Sequence, residues 1–386
     1  MTRATTTVPE VPLFDLRLEP EDREAVDAVL RSGWLTMGPR TQELEAAFAA
    51  HLGARHAVAT ASGTAALHLA YLGAGAKAGD EVIVPSFTFA ATASAVLYCG
   101  ATPVFADIVG DHDLGLDPDD VERRITPRTR AVVAVHYAGY PAAADRLRDL
   151  CDAHGLTLVE DAAHAPSASL DGRRLGTFGL AGAFSFYSNK VLSAGEGGLL
   201  ATDSDAVAAG ARALRSHGMT AATWDRHAGR AEGYDIVEIG FNYRLDEVRA
   251  ALLLSRLGRL EDEVERRRAL VREYRRRLAG LRGVVVPYRD EDVARSSCYV
   301  MPVVLTDRAR RDAVRRALRE RHGVQTSVLY PAVHEFSAYR RRFPGVRLER
   351  TERAARGQLT LPLYPHLAAG DLDRVVTRLA AALAEA

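Results

Sequence analysis

Between residues 56 and 202 the chain alternates short apolar runs with amphipathic stretches. The runs lie at 56–60, 81–85, 103–107, 131–137, 157–160, 183–187 and 199–202. Helical patterns at 64–73, 90–99, 145–154 and 206–216 lie between or after them. Val- and Ile-containing runs this short, with helices between them, behave as strands buried on both faces. The pattern therefore predicts an α/β layered fold with a mostly parallel sheet.

The rest of the chain divides around that block. The 386 residues exceed one ordinary domain, so two are expected. Residues 1–20, rich in Thr and Pro near the start, read as an extended N-terminal arm. Helices follow at 20–30, where Pro and acids fill the first turn, and at 41–51, which Gly53 ends. Residues 219–240 are irregular and read as a surface excursion. A long helical pattern at 245–281 is interrupted at Gly258. The expected division is thus an arm at 1–20, a large α/β domain at 21–258 and a small α+β domain at 259–386. In the last of these, strands at 299–305 and 325–329 flank a helix at 309–321, and a final helix starts near 372.

Charge and cysteine content exclude several classes. Lys and Arg total 50 against 50 Asp and Glu, which predicts no nucleic-acid or acidic-membrane partner. The Arg-rich segment 266–277 has the spacing of a solvated helix face. The three cysteines, Cys99, Cys151 and Cys298, include no C-x-x-C pair, so no metal site is expected. No apolar run is long enough to span a bilayer and no leader pattern is present. A soluble, cytoplasmic protein is the expectation.

One stretch carries the chemistry: Gly182-Ala-Phe-Ser-Phe-Tyr-Ser-Asn-Lys190, followed by the glycine-rich Gly195-Glu-Gly-Gly198. Lys190 falls between two buried strands in a chain whose basic residues are nearly all arginine. A lysine placed there has a depressed pKa and can act as a nucleophilic amine, as in Schiff-base enzymes. A structural pairing with Glu196 is the alternative.

Four further groups flank the lysine. Ser62-Gly-Thr64 turns a strand end into a helix, where Gly63 allows close backbone approach and free N–H groups suit a phosphate. The same pattern also describes a plain N-cap. Glu160-Asp161 ends an apolar strand, at the edge where ligands bind in open α/β sheets. A carboxylate there can hold a protonated pyridine nitrogen or form a loop salt bridge. Gly240-Phe-Asn-Tyr-Arg244 offers Asn242 and Arg244 as donors, or as a cap and a surface charge. Phe89, after the strand at 81–85, can cover a flat ring or pack in the core. The glycines at 73, 75 and 79 follow a helix rather than a strand, the wrong order for a dinucleotide fingerprint.

Taken together, these pieces resemble the DegT/StrS-type pyridoxal phosphate (PLP)-dependent sugar aminotransferases. Phe184-Ser-Phe with Lys190, Gly195-Glu-Gly-Gly198, Glu160-Asp161-Ala-Ala, Ser62-Gly-Thr64, Leu214-Arg-Ser-His-Gly218 and Gly240-Phe-Asn-Tyr-Arg244 carry the likeness. So do Gly33-Trp-Leu-Thr and Leu361-Pro-Leu-Tyr-Pro, so that the likeness spans the whole chain in order. The resemblance implies the aspartate-aminotransferase-like fold type I and a homodimer with shared active sites. It implies Lys190 as the Schiff-base lysine, Asp161 at the pyridine nitrogen, His164 near the ring hydroxyl and Phe89 on the ring. Gly63, Thr64 and Ser185 would hold the phosphate, with Asn242 from the other subunit.

L-glutamate is the implied amino donor, and a keto sugar on a nucleoside diphosphate the implied acceptor, with a dTDP-4-keto-6-deoxyhexose expected. Arg244, Tyr330 and His334 are the expected substrate contacts, although Tyr330-Pro-Ala-Val-His334 departs from the family's Pro-Leu-His. A keto-cyclitol acceptor, or a non-catalytic cofactor- or sugar-nucleotide-binding regulator, remains as the alternative. A related sugar dehydratase would carry His where this chain has Lys190.

Overall fold

A computed structural model describes residues 9–385. Residues 1–8 of the expected arm lie outside the described residues. Seven strands form the main sheet: β1 (His56–Thr60), β2 (Glu81–Pro85), β3 (Thr102–Ala106), β4 (Thr129–Val135), β5 (Thr157–Asp161), β6 (Ala181–Ser185) and β7 (Gly198–Thr202). Their order is β1-β7-β6-β5-β4-β2-β3. Only β7 runs antiparallel to its neighbours; the other pairings are parallel. The apolar runs thus form the expected mostly parallel sheet, with ends moved by two residues at most.

Helices α1 (Pro20–Ser32), α2 (Pro39–Leu52), α3 (Gly63–Gly73), α4 (Ala91–Tyr98), α5 (Ala144–His154) and α6 (Asp205–Leu214) accompany the sheet. Strand side chains alternate between faces, so each face builds its own core. On one face Leu44 and Phe48 of α2 and Leu147 of α5 pack with Phe184, Phe186 and Leu199. On the other, Leu67 and Tyr71 of α3 and Val96 of α4 pack with Val82, Val84, Val133 and Leu200.

Beyond the sheet, α7 (Glu247–Leu257) and α8 (Leu260–Leu278) meet near Gly258. Asp246 starts α7 by accepting the N–H of Arg249 at 2.9 Å. An antiparallel sheet of β8 (Val284–Val285), β9 (Met301–Leu305) and β10 (Gln358–Leu361) follows. It packs with α8, α9 (Arg311–Glu320) and α10 (Ala369–Glu385) around Val271, Tyr274, Val303, Leu318 and Leu379.

Two expectations differ from the structure here. Residues 325–329 form no strand beyond one bridge, Ser327 to Thr360. The Leu329 N–H bonds to the side chain of Gln358 at 2.8 Å, and its carbonyl accepts the Tyr137 hydroxyl, so side chains take the ladder's place. The third strand is instead β10, whose Gln358 and Thr360 are fully buried and break the apolar pattern that would have marked it.

Glu247 ties the start of α2 to α7. No side chain of α2's own N-cap residue, Gly38, is available. Glu247 Oε1 accepts the N–H groups of Gly38 (2.8 Å) and Thr41 (2.9 Å) and the Thr41 hydroxyl (2.7 Å). Its Oε2 accepts the N–H of Arg40 at 2.8 Å. A carboxylate can accept all four because it has no donor of its own. Glu247→Gln turns one oxygen into an NH₂ facing an N–H donor. Its expected cost is about 1–3 kcal/mol, read as a lower urea midpoint at unchanged slope.

Candidate active site

The loop after β6 is closed at its base and projects one lysine. The Phe186 N–H donates to Gly197 O and the Ala194 N–H to Phe186 O, both at 2.9 Å. The Ser188 hydroxyl reaches Gly195 O at 3.2 Å, and Gly195 takes φ +86°, a left-handed conformation that favours glycine. Lys190 therefore turns inward, and its Nζ lies 4.6 Å above the ring centre of Tyr299. It does not pair with Glu196. Burial of the amine brings its pKa down to about 7, against the opposing pull of Asp161.

A cavity of about 470 Å³ joins this amine to the C-terminal ends of the parallel strands. Gly63, Thr64, Phe89, Asp161, His164 and Ser185 line it together with Lys190 and Tyr330. All of these but Tyr330 end or follow β1, β2, β5 and β6, the edge where open α/β sheets bind ligands. The registers Thr60–Gly198 and Ser185–Gly198 set three strand ends in one row. A Cβ on Gly198 would stand 2.3 Å from the Ser62 carbonyl, and one on Gly63 would stand 2.8 Å from Ser185 Cβ. Bare glycines here let the start of α3 close on Ser185. Ser62 caps α3 through the Ala65 N–H at 3.1 Å, the N-cap reading of this stretch.

The two neighbouring acids separate by strand alternation. Glu160 is fully buried on one face, where it accepts the N–H groups of Gly176 (2.7 Å) and Gly179 (2.8 Å). His136 Nδ1 accepts the Ala142 N–H at 3.2 Å, so the neutral ring donates through Nε2 to Glu160 at 2.9 Å. Asp161 turns to the cavity. Its Oδ2 accepts the Thr92 hydroxyl at 2.7 Å and its Oδ1 the Ala163 N–H at 3.2 Å. Burial still pushes its carboxyl up, with those bonds and Lys190 opposing.

His164 is pinned at both nitrogens. The Ala138 N–H donates to Nδ1 at 3.3 Å, so the neutral ring carries its proton on Nε2, 3.1 Å from the Tyr330 hydroxyl. The ring stacks on Tyr299 at 4.3 Å. Burial, then the nearby Lys190, hold its pKa well below the usual value. Phe89 presents an apolar face at the cavity, 59% exposed.

Three expected residues lie elsewhere. His334 is 4% exposed and outside the cavity lining, with Nδ1 at 2.7 Å from the Ser86 hydroxyl and Nε2 at 3.3 Å from Glu352. Those bonds occupy both ring nitrogens in a packing role. Asn242 is exposed and bridges Ser216 rather than lining its own chain's cavity. Arg244 lies outside the lining as well, with Nη1 buried and unpartnered. The excursion at 219–240 presents exposed Tyr234, Ile236, Val237 and Ile239, and its Arg230 is paired with Asp225 at 2.6 Å.

Thr92, which bonds Asp161, and Asn189 and Tyr299, which line the cavity, were not legible as neighbours of Lys190 and Asp161. Thr92 sits in Ala91-Thr-Ala-Ser, and the one available signal was a hydroxyl at the start of an otherwise apolar helix. Tyr299 comes from the C-terminal half and reaches the site only through tertiary packing.

Residues 17–380 match the DegT/DnrJ/EryC1/StrS aminotransferase family. The chain is similar to DesV of S. venezuelae, solved in complex with a ketimine intermediate, with 41% identity and a TM-score of 0.88 over 97% of this chain and 98% of that one. It is similar to DesI, solved in the presence of its TDP-sugar product, with 38% identity and a TM-score of 0.83 over 95% and 90% of the two chains. The PLP form of the putative sugar aminotransferase Spr1654 from Streptococcus pneumoniae aligns with 26% identity and a TM-score of 0.86, over 96% and 97%. Among the described residues no helix is long and apolar enough to cross a membrane.

The Lys190 amine should react as a neutral nucleophile near neutral pH. Between the folded value of about 7 and the ordinary lysine value of about 10.4, the unfolded chain binds more protons. Stability of the cofactor-free protein should therefore rise with pH across that window, as far as this group is concerned. Amine labelling of the cofactor-free protein should modify Lys190 with a midpoint near pH 7. A midpoint above 9 would contradict the depressed value.

Proposed function

The chain belongs to the DegT/DnrJ/EryC1/StrS aminotransferase family of PLP-dependent sugar aminotransferases, and we propose that it moves the amino group of L-glutamate to a dTDP-4-keto-6-deoxyhexose. One observation carries this reading: an amine with a pKa near 7 and a buried carboxylate share one cavity with a glycine-lined helix start. The nucleotide choice is supported by the TDP-sugar product of the similar DesI.

The residues present fit PLP. The start of α3 at Gly63 and Thr64, with the Ser185 hydroxyl, supplies donors for a phosphate dianion, because the first N–H groups of a helix have no partner within it. Asp161 supplies the negative charge for a pyridinium nitrogen, and Phe89 an apolar face for the ring. His164 offers its polar edge at the ring hydroxyl. When bound, PLP supplies an electron sink that acidifies the C–H beside the reacting amine.

The chain's own groups then divide the work. Thr92 and the Ala163 N–H orient the two oxygens of Asp161. A carboxylate whose proton affinity burial has raised binds a cationic nitrogen strongly. The Lys190 amine, near neutral, would take the proton from the donor's Cα and deliver it to the C4′ carbon of the cofactor, because its pKa lies close to the working pH. His164 holds the Tyr330 hydroxyl by donating to it, which leaves that hydroxyl's proton for the substrate. Asn242 and Arg244, turned away from their own chain's cavity, serve the partner's phosphate and substrate in a homodimer.

With purified holoenzyme, glutamate should bleach the yellow cofactor band, and a dTDP-4-keto-6-deoxyhexose should restore it. Restoration only by a free keto-cyclitol would replace the acceptor assignment, and an unbleached band would leave a binding protein. Borohydride should fix the cofactor to the peptide that contains Lys190. Fixation at Lys77, the chain's only other lysine, would sink the role given to Lys190.

Shared sites make a separate prediction. Asn242→Ala should weaken PLP binding about 10- to 150-fold, the value of a hydrogen bond to a charged acceptor. Lys190→Ala and Asn242→Ala proteins, each inactive at limiting PLP, should regain activity when their subunits exchange, because one site of the mixed dimer is then intact. No recovery, with exchange verified by mass, would mean that Asn242 serves its own chain.

A further inference from the structure

Lys190 and Asn189 also line a second cavity, of about 160 Å³, bounded by residues of the N-terminal arm, α7 and α8. Its wall includes Arg256 and Arg267, only 4% and 6% exposed, with the exposed Arg266 beside them. Nε and Nη1 of Arg256 and Nε of Arg267 are buried without a hydrogen-bond partner among the described residues. Arg256 reaches Glu263 only at 3.5 Å, while Arg259 approaches that carboxylate to 3.1 Å. Arg267 directs Nη1 to the carbonyl oxygens of Tyr299 and Leu363, at 3.3 and 3.2 Å. Burial lowers Arg256 and brings Arg267 down to about 10, but a guanidinium keeps its proton at neutral pH.

Buried guanidinium groups seldom remain without partners. Arg17 adds a fourth guanidinium to this wall, against the carboxylates of Asp15, Glu19 and Glu263. Asp15 is itself engaged by His366 at 2.8 Å. A wall with surplus guanidinium suits a planar or tetrahedral oxyanion. The larger cavity has no arginine among its lining residues. Both substrates of the proposed reaction carry anionic ends, carboxylates on the donor and phosphates on the acceptor.

We propose that the cavity walled by Arg256, Arg266 and Arg267 is an oxyanion subsite beside Lys190, which takes a carboxylate of the amino donor or a phosphate of the sugar nucleotide. The choice of substrates rests on the proposed function, whereas the anion site itself does not.

The test uses the holoenzyme and two unreactive probes, glutarate and inorganic phosphate, titrated by calorimetry. The wild type should bind at least one of them, and Arg256→Gln should weaken that binding about 10- to 100-fold. Arg266→Gln removes an exposed side chain and should act in the same direction, which keeps the test open if Arg256→Gln does not fold. The two half-reactions then separate the sources. A raised KM for glutamate alone identifies the donor's carboxylate, and a raised KM for the keto sugar alone identifies the phosphate. Failure of both probes to bind the wild type overturns the subsite, as do wild-type KM values in both half-reactions for both variants. If glutamate never bleaches the wild type while probe binding still depends on Arg256 or Arg266, the donor assignment fails and the anion site stands.

Discussion

Gly198 has no room for a side chain, and much of the site follows from that. Its Cα lies so close to the backbone of Ser62 and Gly63 that any Cβ would fall within 2.6 Å of the Gly63 nitrogen. Glycine at this point lets β7 run antiparallel between β1 and β6 while the chain leaving β1 crosses directly above it into α3. The helix start, the end of β6 and the loop that carries Lys190 are thereby held at one edge. A larger residue would push α3 away from Ser185 and separate the groups proposed to hold the phosphate from the amine.

Burial acts on Lys190 and Asp161 in opposite directions, and the outcome suits a site that must accept a charged cofactor. Desolvation disfavours the charged form of each group, which lowers the amine and raises the carboxyl. Their mutual attraction opposes both shifts without cancelling either. Neither side chain is locked into a strong ion pair that an incoming ligand must break. Thr92 shows how the carboxylate is kept in place without neutralising it. Its single hydroxyl proton goes to Asp161, so Thr88, 3.0 Å away, must donate to Thr92 in turn. A chain of hydroxyl donors orients a carboxylate without removing its charge.

The parts legible in the sequence were those with local causes. Apolar runs become strands because burial on both faces requires it, and Lys190 was recognisable as the one lysine between two such runs. The choice between Glu160 and Asp161 was not legible from composition, because adjacent strand residues share a chemistry but not a face. In space the two part: Gly176, Gly179 and His136 close around Glu160, while Asp161 lines the cavity. The surroundings of the 325–329 segment and of His334 were hidden for a related reason. Each partner there, Gln358 for Leu329 and Glu352 for His334, is brought in by tertiary packing from later in the chain. Tyr299 was hidden in the same way, since nothing local marks a tyrosine near a strand start as the floor beneath an amine.

The choice of cation follows a similar division. Arginine supplies nearly all of the chain's positive charge, and its guanidinium stays protonated in any environment this fold offers. It can therefore be used freely in ion pairs and in buried walls, as at Arg215, Arg256 and Arg267, without introducing a second reactive amine. Lysine loses its proton readily when desolvated, which is a liability in a structural role and a requirement in a nucleophile. Confining lysine to positions 77 and 190 leaves the cavity with one amine that can be neutral at physiological pH and form a bond to carbon. The arginines beside it, which cannot compete for that bond, are free to act on charge alone.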